Sequence, residues 1–256
     1  MADRPIIFSG PMVRALLAGT KTQTRRLITP GTCTVLGNRV NAKNPAWAGL
    51  KFDRAEVRST SPTGVARPHL AVPWVHPGDE AQGMAADAVY LVDSIIEAGD
   101  RLYVREAHYL TNDNDEEYAV CACDDDAVRE HLAEIDALPA SVPEKVKAAH
   151  RKLRPSIHMP RWASRLTLTV TEVRVERLND ISEADARAEG VTIRMETGLL
   201  PLRPHEAFPV EDCRVAFQRL WCDLHGPEAW AANPWVAAVT FGVVHANIDA
   251  AAGGRA

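Results

Sequence analysis

The sequence predicts an α+β protein built on a small curved sheet, mixed or antiparallel, with flanking helices and long loop insertions. Three observations lead there. Leu166-Thr167-Leu168-Thr169-Val170 alternates apolar and polar residues, and Val173 and Val175 then alternate in the opposite phase. A slip of one residue near Thr171-Glu172 is what a β-bulge produces, so a single long strand bent in its middle is expected. Such strands suit small closed barrels. The order of elements (helix, polar run, strands, bent strand, two helices, strand) lacks the regular βαβ alternation of a doubly wound fold. Finally, the chain has 256 residues, 46% hydrophobic and 25% charged, an ordinary globular composition large enough to bury a core.

The first element is a short helix. Pro11 sits where a first-turn proline belongs, Met12, Val13, Leu16 and Leu17 form an apolar stripe, and Gly19 ends it. The run Thr20 to Arg26 follows at once, with no apolar residue in it. Residues 30–98 carry prolines at 45, 62, 68, 73 and 77 and several glycines. They predict a long excursion with little regular structure.

Gly99-Asp100 predicts a turn, and Leu102 and Val104 a half-buried strand, continued in style by Tyr118, Val120 and Ala122. Residues 112–136 hold ten acidic residues against one arginine, whereas residues 145–165 hold seven Lys or Arg. Two solvated faces are expected, the first a surface helix around Ala127 to Leu138. After the bent strand, Ser182 with Asp185 three residues on is a capping-box-like start for a helix that Gly190 ends. Residues 193–209 are loop-like. Ala216 to Leu224 predicts an amphipathic helix with Phe217, Leu220, Trp221 and Leu224 on one face. Pro234 to Phe241 is the closing strand.

Bulk properties exclude several classes. The net charge is −5, so contact with nucleic acid must be local rather than a coating function. No apolar run approaches the roughly 20 residues that cross a bilayer, and the N-terminus has neither a basic region nor an apolar core of a signal peptide. The five cysteines (Cys33, Cys121, Cys123, Cys213, Cys222) are scattered and suggest neither a disulfide framework nor a zinc site. Cys121-Ala122-Cys123 is expected to pack in a strand. A reduced, cytoplasmic protein without metal or cofactor is expected.

Four places could carry chemistry. Thr20 to Arg26 is either a solvated edge strand or a ligand-gripping run, because its lysine, threonines, glutamine and arginines bind carbonyl, phosphate and carboxylate oxygens. Glu189 lies in the last turn of a helix, where the dipole disfavours a negative charge. It is either a surface glutamate or a group that takes and returns a proton. Pro155 to Trp162 interleaves Arg161, His158 and Trp162 with two prolines, for base stacking or for anchoring the bent strand. Asn233-Pro234-Trp235 reads as a turn with a strand-start tryptophan in the core.

At these residues the chain resembles the ASCH superfamily of PUA-like barrels, and more closely the ASCH-type proteins of phages and prophages. The resemblance runs through Pro5 to Ser9, Ala18 to Arg26, Gly99 to Glu106, Ser156 to Arg165, Ile181 to Gly190 and Asn233 to Val236. It implies a single PUA-like domain over residues 1–256 with insertions at about 30–98, 112–150 and 193–212. It also implies a cleft for a base, nucleoside or RNA. One branch of the family hydrolyses N4-acetylcytidine with a lysine, a threonine and a glutamate, and its Gly-x-Lys-Thr-x-Thr-x-Arg motif falls on Gly19, Lys21, Thr22, Thr24 and Arg26. Its glutamate falls on Glu189.

The resemblance therefore implies Lys21, Thr24 and Glu189 as catalytic residues. Thr22, Arg25, Arg26, Arg105, Glu106, His158, Arg161 and Trp162 are expected to hold the ligand. Thr24 would attack the acyl carbonyl or position a water, Lys21 would accept a proton or stabilise the oxyanion, and Glu189 would orient the lysine or serve the leaving amine. In an ideal strand Lys21 and Thr24 point to opposite faces, so a turn or bulge must intervene. The alternative is a non-catalytic module for RNA or modified nucleic acid, in which Lys21, Arg25, Arg26 and the basic stretch 151–165 meet phosphates.

Overall fold

The computed structural model describes residues 2–28, 34–35, 38–39, 55–60, 66–73, 89–92, 96–113, 116–191 and 212–250. The strands are β1 (Asp3–Ile7), β2 (Gln23–Leu27), β3 (Thr34–Val35), β4 (Asn38–Arg39), β5 (Glu56–Thr60), β6 (Ala66–Pro73), β7 (Val89–Val92), β8 (Arg101–Arg105), β9 (His108–Asp113), β10 (Glu116–Cys121), β11 (Thr167–Arg177) and β12 (Trp235–Val244). The helices are α1 (Gly10–Leu17), α2 (Asp125–Ala137), α3 (Glu144–His150), α4 (Glu183–Ala188), α5 (Cys213–His225) and α6 (Pro227–Ala231).

The main sheet is mixed. β1 runs parallel to β8, while β8 with β11 and β12 with β2 are antiparallel. The strand order β1-β8-β11-β12-β2 leaves β1 and β2 as its ends, so the expected closed barrel is not formed among the described residues. The α+β class holds. β11 is the single long strand expected, and its buried phase changes in the middle: Leu168 and Val170 are buried, Thr171 and Glu172 exposed, and Val175 buried again.

The chain divides into two compact units. The first comprises residues 1–22, 99–171 and 241–256, and the second residues 23–98 and 172–240. In the first, Leu102 and Val104 of β8, Leu168 and Val170 of β11, and Val13 and Leu16 of α1 are buried. Pro11 stands in the first turn of α1, and the chain leaves the helix through Gly19 at φ +70°, a conformation that suits glycine. The Asp100 carboxylate, behind the expected turn at Gly99 (φ +89°), accepts from the Ala2 N–H at 2.7 Å and from Arg4 Nε at 3.1 Å.

β9 and β10 form a hairpin in the first unit. Its inward phase is the reverse of that expected: Cys121 is buried and Tyr118 is 37% exposed. The strand ends at Cys121, and Cys121 to Asp124 close a turn through a 3.1 Å bond from the Asp124 N–H to the Cys121 carbonyl. Cys123 therefore packs from a turn rather than a strand. The surface helix forms as α2, capped by the Asp124 side chain, which accepts from the Ala127 N–H, and it buries only His131 and Ile135.

In the second unit Leu178, Ile181, Ala186, Phe217, Trp221 and Val236 form one apolar cluster. Phe217 and Trp221 face inward from α5 as expected, but Leu224 is 51% exposed, because it falls in the last turn of the helix beyond the cluster. The Ser182 cap also forms: its hydroxyl accepts from the Asp185 N–H at 3.0 Å. At the other turn Asn233 takes φ +44°, and its side-chain oxygen accepts from the Asn179 N–H at 2.9 Å. Trp235 is half-buried under the Arg177 guanidinium, 4.2 Å from its ring centroid, rather than in the core.

The excursion at 30–98 contains more structure than its prolines suggest, since β5, β6 and β7 form a three-stranded antiparallel sheet there and β3 and β4 pair beside each other in sequence. Pro73 ends β6, and Pro68 lies where the β5–β6 register shifts, positions at which a sheet tolerates proline. The loop expected at 193–209 lies outside the described residues. Among the described residues no helix is long and apolar enough to cross a membrane. No group of three or more His, Cys, Asp or Glu among them could hold a metal ion.

Candidate functional site

β2 is an edge strand, but it is not a solvated one. Among the described residues it pairs only with β12, with Gln23 opposite Thr240, Thr24 opposite Val239 and Arg25 opposite Ala238. An exposed edge normally carries its charges into water. Here Gln23, Thr24 and Arg25 are 4%, 4% and 5% exposed. The strand period of two places Gln23 and Arg25 on one face and Thr24 and Arg26 on the other.

On the first of these faces Arg25 is the hub of a buried polar cluster in the second unit. Its Nη1 donates to Gln23 Oε1 at 2.7 Å and to Glu189 Oε1 at 3.3 Å. Its Nη2 donates to Glu176 Oε1 at 2.5 Å and lies 3.5 Å from Asp185 Oδ2. Gln23 Nε2 in turn donates to Asp185 Oδ1 and to Thr240 Oγ1, each at 3.1 Å. Arg174 donates to Asp185 Oδ1 at 2.8 Å. The Phe217 ring lies 5.8 Å from the Arg25 guanidinium carbon.

The sequence builds this cluster from four places: β2, the second half of β11, the capped helix α4 and its C-terminal residue. Burial works against the charged form of Asp185, but bonds from Ser182, Arg174 and Gln23 outweigh it and hold its carboxyl below the usual range. Burial likewise lowers the Arg26 guanidinium, opposed by the Glu189 charge. On this face the guanidiniums of Arg25 and Arg174 meet the carboxylates of Glu176, Asp185 and Glu189, and the Glu189 charge also acts on Arg26.

Glu189 is thus not a surface glutamate. It caps the C-terminus of α4, is 6% exposed, and meets Arg25. Gly190 follows at φ +80°, which lets the chain turn away directly after it. The repulsion expected from the helix end is opposed by a guanidinium 3.3 Å from the carboxylate. Thr24 lies on the opposite face of β2 from Arg25, and its hydroxyl makes no hydrogen bond among the described residues.

Lys21 belongs to the first unit. Its N–H and that of Thr20 donate to the Ala15 carbonyl, at 3.1 and 3.0 Å, so the end of α1 fixes where the lysine leaves the helix. The residue is 1% exposed, and its Nζ lies 5.6 Å from the centroid of the buried Phe8 ring. Lys21 precedes β2, so the strand parity that would oppose it to Thr24 does not apply. Thr22 is exposed, and its carbonyl accepts from the Phe241 N–H.

The remaining predicted ligand residues also lie in the first unit and fall into four environments. Glu106 is 1% exposed and committed to structure: it accepts from Arg165 Nε and Nη2 at 3.0 and 3.2 Å and from Cys123 Sγ at 2.9 Å. Burial, followed by this carboxylate, raises the Cys123 thiol to about 11 and raises Cys121 as well, so neither thiol is an activated nucleophile. Arg161 is bound to Asp249 at 2.6 Å and to Asp3 at 2.6 Å, which leaves it a structural role. Arg105 donates to the Ile157 carbonyl and the Tyr103 hydroxyl and has no carboxylate partner among the described residues. His158 and Trp162 are exposed.

Sequence reasoning missed Gln23, Glu176, Asp185 and Arg174 as members of the cluster. One signal was present: polar residues two apart on the same face of a strand, Gln23 with Arg25 and Arg174 with Glu176. The carboxylates that meet Arg25 from Glu189 and Glu176, 164 and 151 residues away along the chain, left no such mark. No protein-family model, curated protein or solved structure matches the chain.

Proposed function

We propose that this protein is an ASCH-type, PUA-like amidohydrolase of the cytoplasm that acts on an N4-acylated cytidine-like base through Lys21, Thr24 and Glu189. The observation that carries the reading is burial: Lys21, Thr24 and Glu189 are 1%, 4% and 6% exposed. Removing an ammonium or a carboxylate from water costs several kcal/mol per ion. A chain that needed these residues only for solubility would leave them at the surface. A lysine, a glutamate and a threonine hydroxyl, all buried, are the residue types that nucleophilic sites use.

The neutral Lys21 amine takes the Thr24 hydroxyl proton as the threonine oxygen bonds to the acyl carbon. The C–N bond then breaks, and that proton passes to the departing cytosine amine. Water hydrolyses the resulting ester, returning Thr24 and releasing a carboxylic acid. Glu189, held by Arg25, orients the lysine or assists the proton on its way to the amine. Arg25 and Gln23 act here as positioning residues, a change from the expectation that Arg25 grips the ligand.

The nucleic-acid module has less support. Of its proposed phosphate contacts, Lys21 and Arg25 are buried, and Arg151 and Arg161 are paired with carboxylates. Incubation with N4-acetylcytidine and longer N4-acyl homologues, followed by chromatography, tests the proposal. The expected outcome is release of cytidine that is lost in Lys21→Ala and in Glu189→Ala. Intact acyl nucleosides after prolonged incubation with folded wild-type protein would falsify it.

A further inference from the structure

Arginines of the first unit are, with few exceptions, neutralised. Arg4 meets Asp100, Arg101 meets Asp3, Arg161 meets Asp3 and Asp249, and Arg165 meets Glu106. Arg105 is different. It is half-buried and has no carboxylate among the described residues. Its Nη1 donates to the Ile157 carbonyl at 3.2 Å and its Nη2 to the Tyr103 hydroxyl at 3.4 Å. Its Nε is buried with no partner. Two of five N–H groups are therefore used, both on neutral oxygens.

The surroundings do not supply the missing anion. Arg105 and Arg161 each lie 5.5 Å from the Tyr103 ring centroid, and the two aspartates there are already bound to Arg161. Arg154 forms a backbone bridge with His108, its N–H donating to the His108 carbonyl at 2.8 Å, and His158 follows Ile157, whose carbonyl takes the Arg105 bond, so both residues belong to the segment that Arg105 contacts. Neither Arg154 nor His158 has a carboxylate partner among the described residues. Ile157 and Trp162 stand exposed in the same segment, at 57% and 46%. A half-buried charge without a counter-charge is costly, and a planar guanidinium fork fits the two oxygens of a phosphate.

We propose that Arg105, with Arg154 and His158, forms a phosphate-binding subsite in the first unit, and that its ligand is the phosphate of a nucleotide, free or within a strand. This subsite is independent of the acyl-transfer chemistry, so its test reads binding rather than turnover.

The experiment is titration of the full chain at low salt with cytidine, cytidine 5′-monophosphate, inorganic phosphate and a ten-residue oligocytidylate. Affinity for the monophosphate should exceed that for cytidine by about tenfold or more, the usual worth of a charge-assisted bond. Arg105→Gln should abolish that difference, and Arg105→Lys should restore only part of it, because a point charge lacks the fork. Because Arg105→Gln also loses two structural hydrogen bonds, Arg154→Gln and His158→Gln, both at exposed positions, provide the second line. Each should reduce the difference about two- to threefold, as expected for solvated charges. Arg129→Gln, on the exposed face of α2, should change nothing.

Stronger binding of the oligocytidylate with a steep salt dependence assigns the phosphate to a strand, and equal binding of the two assigns it to a mononucleotide. Equal affinity for cytidine and its monophosphate overturns the proposal. So does a phosphate preference that survives Arg105→Gln, or one that is indifferent to both Arg154→Gln and His158→Gln.

Discussion

The segments 20–26 and 153–162 look alike in the sequence, both short and rich in arginine and hydrogen-bonding side chains, yet the fold treats them in opposite ways. The first is drawn inward: Lys21, Gln23, Thr24 and Arg25 are all at most 5% exposed, and Arg25 meets three carboxylates. The second keeps only Met159 buried, with Leu153, Ile157 and Trp162 at 46–57% exposure and with Arg154 and His158 lacking a counter-charge among the described residues. Composition does not decide this. Opposite charges from elsewhere in the chain reach both segments, but Glu176, Asp185 and Glu189 meet a buried Arg25, whereas Asp3 and Asp249 meet a half-exposed Arg161 and leave Arg154 and His158 without a carboxylate among the described residues.

The largest expected effect on this contrast comes from Arg25→Met. It leaves three buried or half-buried carboxylates without their shared partner, and removal of one member of a buried charge cluster costs about 3–5 kcal/mol. Urea denaturation should show that loss, with the midpoint shifted and the slope unchanged. Next is Glu106→Gln, which keeps the shape but removes the charge that Arg165 and Cys123 meet. About 1–3 kcal/mol is expected by the same measurement, the cost of weakening bonds to a buried charged group. Arg161→Gln breaks only half-exposed pairs and should cost about 1 kcal/mol or less, vanishing in high salt. If Arg161→Gln proved as damaging as Arg25→Met, the distinction between an inward and an outward segment would fail.

Acid should separate the two regions as well. Burial, only partly offset by the Glu106 carbonyl, holds the His108 imidazole below its ordinary 6.5. As pH falls through 6.5 the unfolded chain binds a proton that the folded chain refuses. The stability His108 contributes is therefore present above that pH and is lost as pH falls toward the lower folded value. Asp185, also held below its ordinary 3.8, contributes stability that is present above about pH 4 and is lost below it. A pH series of thermal unfolding should show two acid steps, with His108→Gln removing the upper one and leaving the lower.

Local signals in the sequence were reliable. Ser182 with Asp185, Pro11 with Gly19 and the phase change around Thr171 each require only near neighbours, and each forms where expected. Errors arose where partners are distant or alternatives are balanced. Leu224 lies on the correct stripe of α5 but past the end of what the stripe packs against. The 30–98 prolines argue against strands only where a sheet does not tolerate them, and Pro68 and Pro73 stand at a register shift and a strand end. At the candidate site, the burial of Glu189 and the role of Arg25 as a hub depend on partners from distant parts of the chain that no local pattern announces.

The most direct test of the account is single-turnover release of cytidine from N4-acetylcytidine by wild type and by Glu189→Gln, which preserves shape and removes the charge. The account predicts release by the wild type and a rate at least about a hundredfold lower in the variant, the ordinary worth of a proton-handling group, with the fold retained by circular dichroism. Equal rates in the two proteins, or no release by either, would contradict it.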